Sequence, residues 1–415
     1  MHFLHGVLGL AGLLALAFAL SENRRAIPWR LVASGVALQF ALALLLLKFP
    51  PANAFVALLA SGVGALDRAT EAGTSFVFGY IGGAPLPFAP QAGGSSLVLA
   101  FRVFPLILVV CALAGLLFYW GIMQRVVAAL AFVLRRTIGV GGALGAGAAV
   151  NFFVGMVESP ILIRPYLAQM QRGELFALMS VGMAGIAGTV MAIYGHILAP
   201  AIPEAFAHVL TAAFISGPAA IAVSALMIPF APNPDGEAKI IIVDPPQSAM
   251  EAISRGIGDG IVILAHVLAH LIVLIALVAL VNQALAALPD VFGSPLSLQR
   301  LFGLVFKPLA WLIGVESADL DTAARLLGEK TALNEFIAYI DLAQLPEGTL
   351  APRSRLILLY ALCGFANFGS VGIMVGGVSA MAPERKKDIV ALGSRALVSG
   401  TLASLMGGAT IGALT

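Results

Sequence analysis

The sequence has 415 residues, of which 60% are hydrophobic and 11% are charged, and its formal net charge is +2. Soluble domains carry about 25% charged residues, so this composition excludes a soluble globular protein and indicates an integral membrane protein. The small net charge and the lack of a basic tract indicate no nucleic-acid partner. Both cysteines, Cys111 and Cys363, lie in apolar runs, where packing is a more common role than a disulfide.

Eight apolar runs have the length of about twenty residues that a helix needs to cross the hydrocarbon core. Residues 1–20 lack the basic start of a signal peptide, and the charged residues Glu22, Arg24 and Arg25 follow them instead. This order favours a transmembrane helix over a cleaved signal peptide. The helical length also excludes an outer-membrane barrel, whose strands are shorter and alternate in polarity. The predicted spans are 3–20, 31–48, 103–123, 175–199, 205–230, 259–286, 355–380 and 391–413.

Basic loops orient these spans. Arg24, Arg25 and Arg30 follow the first span and place the first loop in the cytoplasm, because cytoplasmic loops carry an excess of basic residues. Residues 124–137 combine apolar positions with Arg125, Arg135 and Arg136 and predict an amphipathic helix on the cytoplasmic surface. Residues 53–72 are too polar to span and are predicted to lie at the membrane interface. Two stretches rich in glycine, proline or polar residues are predicted loops, 82–95 and 231–248.

Two further segments are apolar but interrupted, and each predicts a re-entrant hairpin that enters and leaves the bilayer on the same side. Residues 140–170 contain Pro160 and Pro165, which are expected to break the helix near its midpoint. Residues 301–342 are interrupted by two glycine-containing tetrapeptides, 314–317 and 328–331. Irregular backbone at membrane depth is tolerated only when it is buried in protein or lines water.

The fourth and seventh spans are similar in sequence and in their surroundings. Residues 187–190 read Ala-Gly-Thr-Val, and residues 368–371 read Phe-Gly-Ser-Val. Each span follows a hairpin that carries a glutamate, and each is followed by one more span. This order of hairpin, broken span and span, occurring twice, predicts an all-α membrane protein with an inverted repeat. The predicted fold has about eight transmembrane helices and two re-entrant hairpins.

The seventh span is unusually polar at its centre. Asn367 and Ser370 lie in an apolar run, where polar side chains cost free energy unless they have partners. Three glycines among residues 364–372 also weaken the helix. Such a segment is typical of a broken helix that lines a substrate cavity. Together with the acid Glu335 upstream, it predicts a polar binding site inside the bilayer.

Two long stretches carry a resemblance to a known family. Residues 328–339 read Gly-Glu-Lys-Thr-Ala-Leu-Asn-Glu-Phe-Ile-Ala-Tyr, and residues 361–370 read Ala-Leu-Cys-Gly-Phe-Ala-Asn-Phe-Gly-Ser. The chain resembles the concentrative nucleoside transporter family over nearly its whole length. The resemblance implies a lipid-embedded homotrimer in the bacterial inner membrane, importing nucleosides with a coupling cation by alternating access. It implies no enzyme activity and no other cofactor.

The resemblance also divides the chain by role. It implies scaffold helices and an interfacial helix in residues 1–123, and a first transport repeat, with hairpin 1 and two spans, in residues 124–230. A scaffold span at 249–290 is followed by the second transport repeat at 299–415.

In this family the acid of the second hairpin and polar residues of the broken seventh span bind the ribose. Those positions are Glu335, Asn367 and Ser370 here, and the matching Phe365 offers an aromatic face near the base. The chemistry suits this role, because a carboxylate can accept hydrogen bonds from two neighbouring hydroxyls and an amide both donates and accepts. The alternative is a structural ion pair between Glu335 and Lys330.

The first hairpin departs from the family pattern at its tip. The family reads Gly-Gln-Ser/Thr-Glu there, whereas this chain has Gly155-Met156-Val157-Glu158. The acid is retained, but two groups that hydrogen-bond the base are replaced by apolar side chains. A related non-nucleoside solute therefore stays open as the substrate.

The family's sodium site departs as well. Its matching positions are Asn151 and the Val154 carbonyl in the hairpin, and Gly185 and Ile186 in the fourth span, where the family has a serine or threonine before an apolar residue. Loss of a hydroxyl ligand is expected to weaken Na⁺ binding. Both Na⁺ coupling and H⁺ coupling, through Glu158 or Glu335, remain open.

An intramembrane hydrolase is the alternative from a different functional class. His266 and His270 are four residues apart on one helix face, as metal ligands can be. The acid that would complete a His-Glu-x-x-His motif is missing. The inverted repeat has no rationale in an enzyme, whereas alternating access requires it. The sequence therefore favours a transporter.

Overall fold

The computed structural model describes residues 2–88, 98–156, 158–232, 245–290 and 295–415, and for Glu158 and Thr189 it describes the backbone alone. Regular structure in these residues is helical throughout, as the sequence predicts. The helices are His2–Ala19 (α1), Trp29–Lys48 (α2), Pro50–Phe78 (α3), Leu99–Arg102 (α4), Leu106–Tyr119 (α5), Ile122–Ile138 (α6), Gly142–Asn151 (α7), Glu158–Leu162 (α8), Arg164–Leu167 (α9), Arg172–Ala184 (α10), Gly188–Leu198 (α11), Ala205–Met227 (α12), Ala249–Ala286 (α13), Leu298–Leu312 (α14), Leu320–Ala332 (α15), Glu335–Gln344 (α16), Pro352–Leu362 (α17), Phe368–Met381 (α18) and Lys386–Leu414 (α19).

Six helical segments in the described residues are long and apolar enough to cross a membrane. All six correspond to predicted spans. Five of them contain α1, α2, α12, α13 and α19, and the sixth, Leu99–Tyr119, combines α4 and α5 and corresponds to the predicted span 103–123. The other two predicted spans, 175–199 and 355–380, are each divided into two helices. A break separates α10 from α11 at residues 185–187, and another separates α17 from α18 at residues 363–367. Both predicted broken helices are therefore present.

The predicted segments that do not span the membrane are two helical segments and two loops. Residues 53–72 are part of one uninterrupted helix, α3, which is not among the six apolar segments. The predicted amphipathic helix at 124–137 corresponds to α6. Half of the predicted loop 82–95, from residue 89 on, and most of the predicted loop 231–248, residues 233–244, lie outside the described residues.

The second hairpin is shorter than predicted. The interruption near residues 314–317 is present, but it separates an independent helix, α14, from the hairpin, and α14 packs along α15. The predicted interruption at 328–331 is wrong, because these residues lie inside α15. The chain breaks one turn later, where the Asn334 side chain accepts a 3.0 Å hydrogen bond from the Ile337 N–H and begins α16. The hairpin consists of α15 and α16.

The first hairpin breaks at a different point from the prediction. Helix α7 ends at Asn151 and α8 begins at Glu158, so the interruption precedes both prolines. Pro160 lies in the first turn of α8, where a helix does not need the missing N–H. Pro165 lies likewise in the first turn of α9. The main interruption therefore lies before the prolines and not at them as predicted, whereas the shorter break at Ile163, between α8 and α9, does immediately precede the helix start that contains Pro165.

The described chain forms two compact units. One unit comprises Met1–Ala52, Val127–Ile241 and Leu274–Thr415, and the other comprises Asn53–Val126 and Ile242–Val273. In the first unit α12 is the central helix, because it is almost wholly buried and packs against α2, α10, α11 and α19. This unit contains both hairpins and both broken spans. The four-part functional division implied by the resemblance stays a prediction.

A charged cluster joins three segments at one end of the first unit. The Glu22 carboxylate, between α1 and α2, accepts hydrogen bonds from both terminal nitrogens of Arg172. Arg395 of α19 lies 2.8 Å from the same carboxylate. The hydrogen bonds from Arg172 hold the pKa of Glu22 below its usual value. We infer that this cluster fixes the start of α10 to the α1–α2 loop.

Candidate functional site

The two broken spans touch each other through their backbones. The Phe365 N–H donates a 3.2 Å hydrogen bond to the Gly185 carbonyl, so the two breaks meet directly. Gly364 adopts φ +138° beside this contact, and a Cβ atom there would lie only 2.5 Å from the Ala184 carbonyl oxygen. Only glycine combines this backbone conformation with such a close approach.

The buried Glu335 carboxylate lies where three helices come together. It belongs to the first turn of α16 and is 4% exposed. Its Oε1 accepts a 2.6 Å hydrogen bond from the Tyr194 hydroxyl of α11, and its Oε2 accepts a 3.1 Å bond from the Asn367 amide. Charge-assisted bonds of this kind are about twice as strong as neutral ones. Elements of both predicted repeats therefore converge on one acid.

Local sequence explains how the Asn367 side chain is oriented. Its Oδ1 accepts a 2.7 Å hydrogen bond from the Ser370 N–H and caps the N-terminus of α18. Its amide nitrogen is thereby left to face Glu335. Asn334 caps α16 in the same way. Two helix N-termini, which carry partial positive charge, thus begin next to the Glu335 carboxylate.

Lys330 does not pair with Glu335. Its ammonium group is buried and donates to the Ala361 carbonyl at 3.0 Å and to the Ser404 hydroxyl at 2.9 Å. The alternative of a structural Glu335–Lys330 ion pair is therefore wrong. A carboxylate has about four acceptor positions, and hydrogen bonds from described residues occupy two of them. Acceptor positions on Glu335 therefore remain for further donors.

The structure brings together three of the residues predicted for the ribose, Glu335, Asn367 and Ser370, and all three are buried. Phe365 is half-buried in the same break, two residues before Asn367. Tyr194 was not predicted. The available signal was a single phenol in the apolar run 175–199, because a buried tyrosine hydroxyl usually has a partner.

The tip of the first hairpin is described in part. Met156 is half-buried and packs on α10, since a Cβ on Gly182 would lie 2.9 Å from the Met156 Cβ. Val157 and the side chain of Glu158 lie outside the described residues. The inverted repeat predicts that Glu158 and Glu335 face one cavity from opposite hairpins, and this stays a prediction.

Two of the four predicted sodium ligands lie side by side. The Asn151 amide, buried at the end of α7, donates a 3.2 Å hydrogen bond to the Val181 carbonyl. A Cβ on Gly185 would lie 2.8 Å from the same amide nitrogen. The Asn151 side chain therefore fills the space next to Gly185. The other two positions, Val154 and Ile186, lie in the two adjoining backbone segments.

The histidine pair has a local explanation. A ring nitrogen of His270 lies 2.8 Å from the carbonyl oxygen of His266, one helical turn away. Among the described residues, no group of three or more His, Cys, Asp or Glu side chains is placed to hold a metal ion.

Three family models match successive parts of the chain. "Na+ dependent nucleoside transporter N-terminus" matches residues 8–81, and "Nucleoside recognition" matches residues 100–201. "Na+ dependent nucleoside transporter C-terminus" matches residues 208–412, which contain Glu335, Asn367 and Ser370.

Similar proteins include bacterial and mammalian ones. An uncharacterized transporter of Haemophilus influenzae is 37% identical, and the match covers 100% of this chain and 98% of that protein. The putative nucleoside permease NupX of Escherichia coli is 33% identical, with 98% and 97% covered. Sodium/nucleoside cotransporter 1 of Rattus norvegicus is 34% identical over 98% of this chain, which spans 63% of the rat protein.

Solved structures of CNTnw are similar in fold. An inward-facing substrate-bound structure has a TM-score of 0.90 and 34% identity, and covers 100% of this chain and 98% of that one. A variant of CNTnw in an outward-facing state matches with the same TM-score, identity and coverage.

Proposed function

Because the chain belongs to the concentrative nucleoside transporter family, we propose that it is a cation-coupled symporter that imports nucleosides by alternating access. Members of this family are nucleoside transporters, so the chain is a multi-pass membrane protein and not an enzyme. Structures of CNTnw in inward- and outward-facing states support alternating access as the mechanism. The hydrolase alternative is thereby set aside.

The observation that carries this proposal is the Glu335 carboxylate beside the broken seventh span. It is buried, it is held by Tyr194 and Asn367, and it keeps acceptor positions for further donors. A ribose presents two neighbouring hydroxyls, which match these positions. Ser370 adds a hydroxyl and Phe365 adds an aromatic face for the base.

Uptake into proteoliposomes tests the proposal. The purified protein is reconstituted, and accumulation of labelled uridine and adenosine is followed with an inward Na⁺ gradient, with a pH gradient in Na⁺-free buffer, and with neither gradient. Accumulation that requires the Na⁺ gradient is expected. Accumulation that follows the pH gradient alone would replace Na⁺ by H⁺ as the coupling ion. Equal, gradient-independent equilibration would contradict a symporter.

Sodium binding is proposed to use Asn151 together with backbone carbonyls of Val154, Gly185 and Ile186. Replacing Gly185 with serine restores the hydroxyl that the family has at this position. Its Cβ would lie 2.8 Å from the Asn151 amide nitrogen and 3.2 Å from the Val181 carbonyl oxygen, so the Asn151 side chain has to shift to admit it. We expect Gly185→Ser to lower the Na⁺ concentration for half-maximal uptake about three- to tenfold, the scale of one neutral polar contact of about 0.5–1.5 kcal/mol.

Gly185→Ala is the matched control for this measurement, because it adds the same Cβ without the hydroxyl. An equal change in Na⁺ dependence for both variants would assign the effect to packing and contradict a hydroxyl ligand at this position.

Substrate selectivity is proposed to depend more on the sugar than on the base. The apolar Met156 and Val157 replace groups that hydrogen-bond the base, and an apolar pocket separates similar shapes by only about 1–3 kcal/mol. We expect 2′- and 3′-deoxynucleosides to compete poorly for uptake, while different ribonucleosides compete about equally. A competition panel measures this, and it includes ribose-like solutes that lack a base. Strong competition by those solutes would favour the related non-nucleoside substrate.

The assembly is proposed to be a homotrimer in the bacterial inner membrane. Bacterial relatives that match over nearly their whole length support this location. Native mass spectrometry of the detergent-purified protein, compared with the 42.7 kDa mass of one chain, measures the number of subunits.

A further inference from the structure

Tyr194 is a buried residue that contacts Glu335 and has no role assigned to it so far. It lies in α11, is 1% exposed, and donates a 2.6 Å hydrogen bond to Oε1 of Glu335. The bond joins residues 141 positions apart in the sequence. It is the shorter of the two side-chain hydrogen bonds that Glu335 accepts from described residues, as expected for a hydroxyl bound to a charged oxygen.

Aromatic packing fixes the direction of the Tyr194 hydroxyl. The Tyr194 ring lies 4.9 Å from the ring of Tyr339 and 6.1 Å from that of Phe336, in tilted arrangements. Both neighbours belong to α16, the helix that begins with Glu335. The Tyr339 hydroxyl is already used, because it donates to the Leu359 carbonyl at 2.8 Å. The Tyr194 phenol is therefore aimed at Glu335 by the same helix that carries the acid.

Each oxygen of the Glu335 carboxylate consequently accepts a hydrogen bond from one other residue of the described chain. Tyr194 occupies a position on Oε1 and Asn367 occupies one on Oε2. No other described residue donates to either oxygen, so acceptor positions remain for a ligand. Two hydroxyls on neighbouring carbons can then donate to the two oxygens of one carboxylate, which is a geometry for a vicinal diol. A single hydroxyl has only one hydrogen to donate, so it cannot bond both oxygens in this way.

We propose that Tyr194 is a positioning residue that orients the Glu335 carboxylate so that it accepts both hydroxyls of a vicinal diol. This inference rests on the proposed function, since it deepens the role of Glu335 in sugar binding. Without the phenol hydroxyl, Oε1 loses its fixed donor and the carboxylate can rotate about its last bond. The contribution of the sugar hydroxyls to affinity then falls, whereas contacts to the base are unaffected.

Tyr194→Phe tests the inference by removing one oxygen and keeping the ring. Uptake is measured for a ribonucleoside and for its 3′-deoxy form. We expect the KM of the ribonucleoside to rise about tenfold, the scale of one hydrogen bond to a charged group. The KM of the 3′-deoxy form is expected to change little, so discrimination between the two sugars is reduced.

Tyr339→Phe is the matched control. It removes a hydroxyl from the same buried ring cluster, but that hydroxyl bonds a backbone carbonyl and not Glu335. We expect Tyr339→Phe to retain the sugar discrimination of the wild type. An equal loss of discrimination in both variants would make the effect one of general packing and would overturn the proposal. Unchanged discrimination in Tyr194→Phe would overturn it as well.

Tyr194→His is made alongside, because its shorter side chain keeps an aromatic ring but cannot place a donor where the phenol oxygen lies. Full sugar discrimination in either folded Tyr194 variant contradicts the positioning role. If neither Tyr194 variant folds while Tyr339→Phe does, Tyr194 is a structural residue and the proposal is wrong. A wild-type protein that transports no nucleoside would instead contradict the proposed function. The positioning role of Tyr194, which depends on that function, would then be contradicted too.

Discussion

Glu335→Gln is expected to abolish nucleoside uptake at physiological concentrations while the protein stays folded. The substitution replaces two acceptor oxygens with one oxygen and one amide donor, so a diol loses an ionised partner. Hydrogen bonds to charged groups contribute about 1.5–3 kcal/mol, which is one to two decades in affinity. Folding should survive, because the Tyr194 hydroxyl can accept a hydrogen bond from the new amide and Asn367 can still donate to its oxygen.

Glu329→Gln is a matched control in the same hairpin. Glu329 is also buried, but its carboxylate lies 3.4 Å from Arg325 and makes no described contact with Tyr194 or Asn367. Uptake by both variants is compared after size-exclusion chromatography confirms folding. We expect Glu329→Gln to keep its uptake. Wild-type affinity in a folded Glu335→Gln protein would contradict the assignment of Glu335 to the substrate.

The sequence predicted the broken spans because their signal is local. A glycine-loosened, polar segment in an apolar run is visible without knowledge of its neighbours, and both breaks, at 185–187 and 363–367, are present. Asn367 and Ser370 could be assigned to a site for the same reason. The buried amide needed a partner, and the structure supplies Glu335.

The break within the second hairpin was misplaced because the glycine-containing tetrapeptide 328–331, which includes Lys330, was interpreted as an interruption of the helix. Lys330 is instead a tertiary contact, bonded to Ala361 of α17 and Ser404 of α19, and the helix continues through it. The partner of a buried charge depends on segments far away in the sequence. No local pattern around Lys330 identifies Ser404.

Tyr194 was missed for a related reason. A single tyrosine in an apolar helix is common, and its hydroxyl becomes informative only when a carboxylate is known to lie 2.6 Å away. The contact between the two breaks is equally hidden, because it pairs Gly185 with Phe365 across 180 residues. Sequence reasoning located the polar segments, and their pairing required the structure.

That pairing makes Gly364 the most sensitive glycine of the site. A substituted residue would be held at φ +138°, where side chains other than hydrogen are strained by about 1–3 kcal/mol. Its Cβ would also lie 2.5 Å from the Ala184 carbonyl oxygen and 3.2 Å from that of Met183. Both neighbours are backbone atoms at the end of α10, so neither can move aside as a flexible side chain would.

Gly364→Ala is therefore expected to separate the two breaks, to lower the thermal stability of the protein clearly and to eliminate uptake. Gly372→Ala is the control, because no atom lies within 4 Å of a Cβ placed there and alanine favours the surrounding helix by about 0.8–1 kcal/mol. Thermal unfolding in detergent and uptake are measured for both variants. Since separation of the breaks would also break the hydrogen bond between Phe365 and Gly185, loss of uptake should accompany loss of stability. A Gly364→Ala protein as stable and active as Gly372→Ala would show that the breaks do not touch as described, and the site would then have to be assembled without their contact.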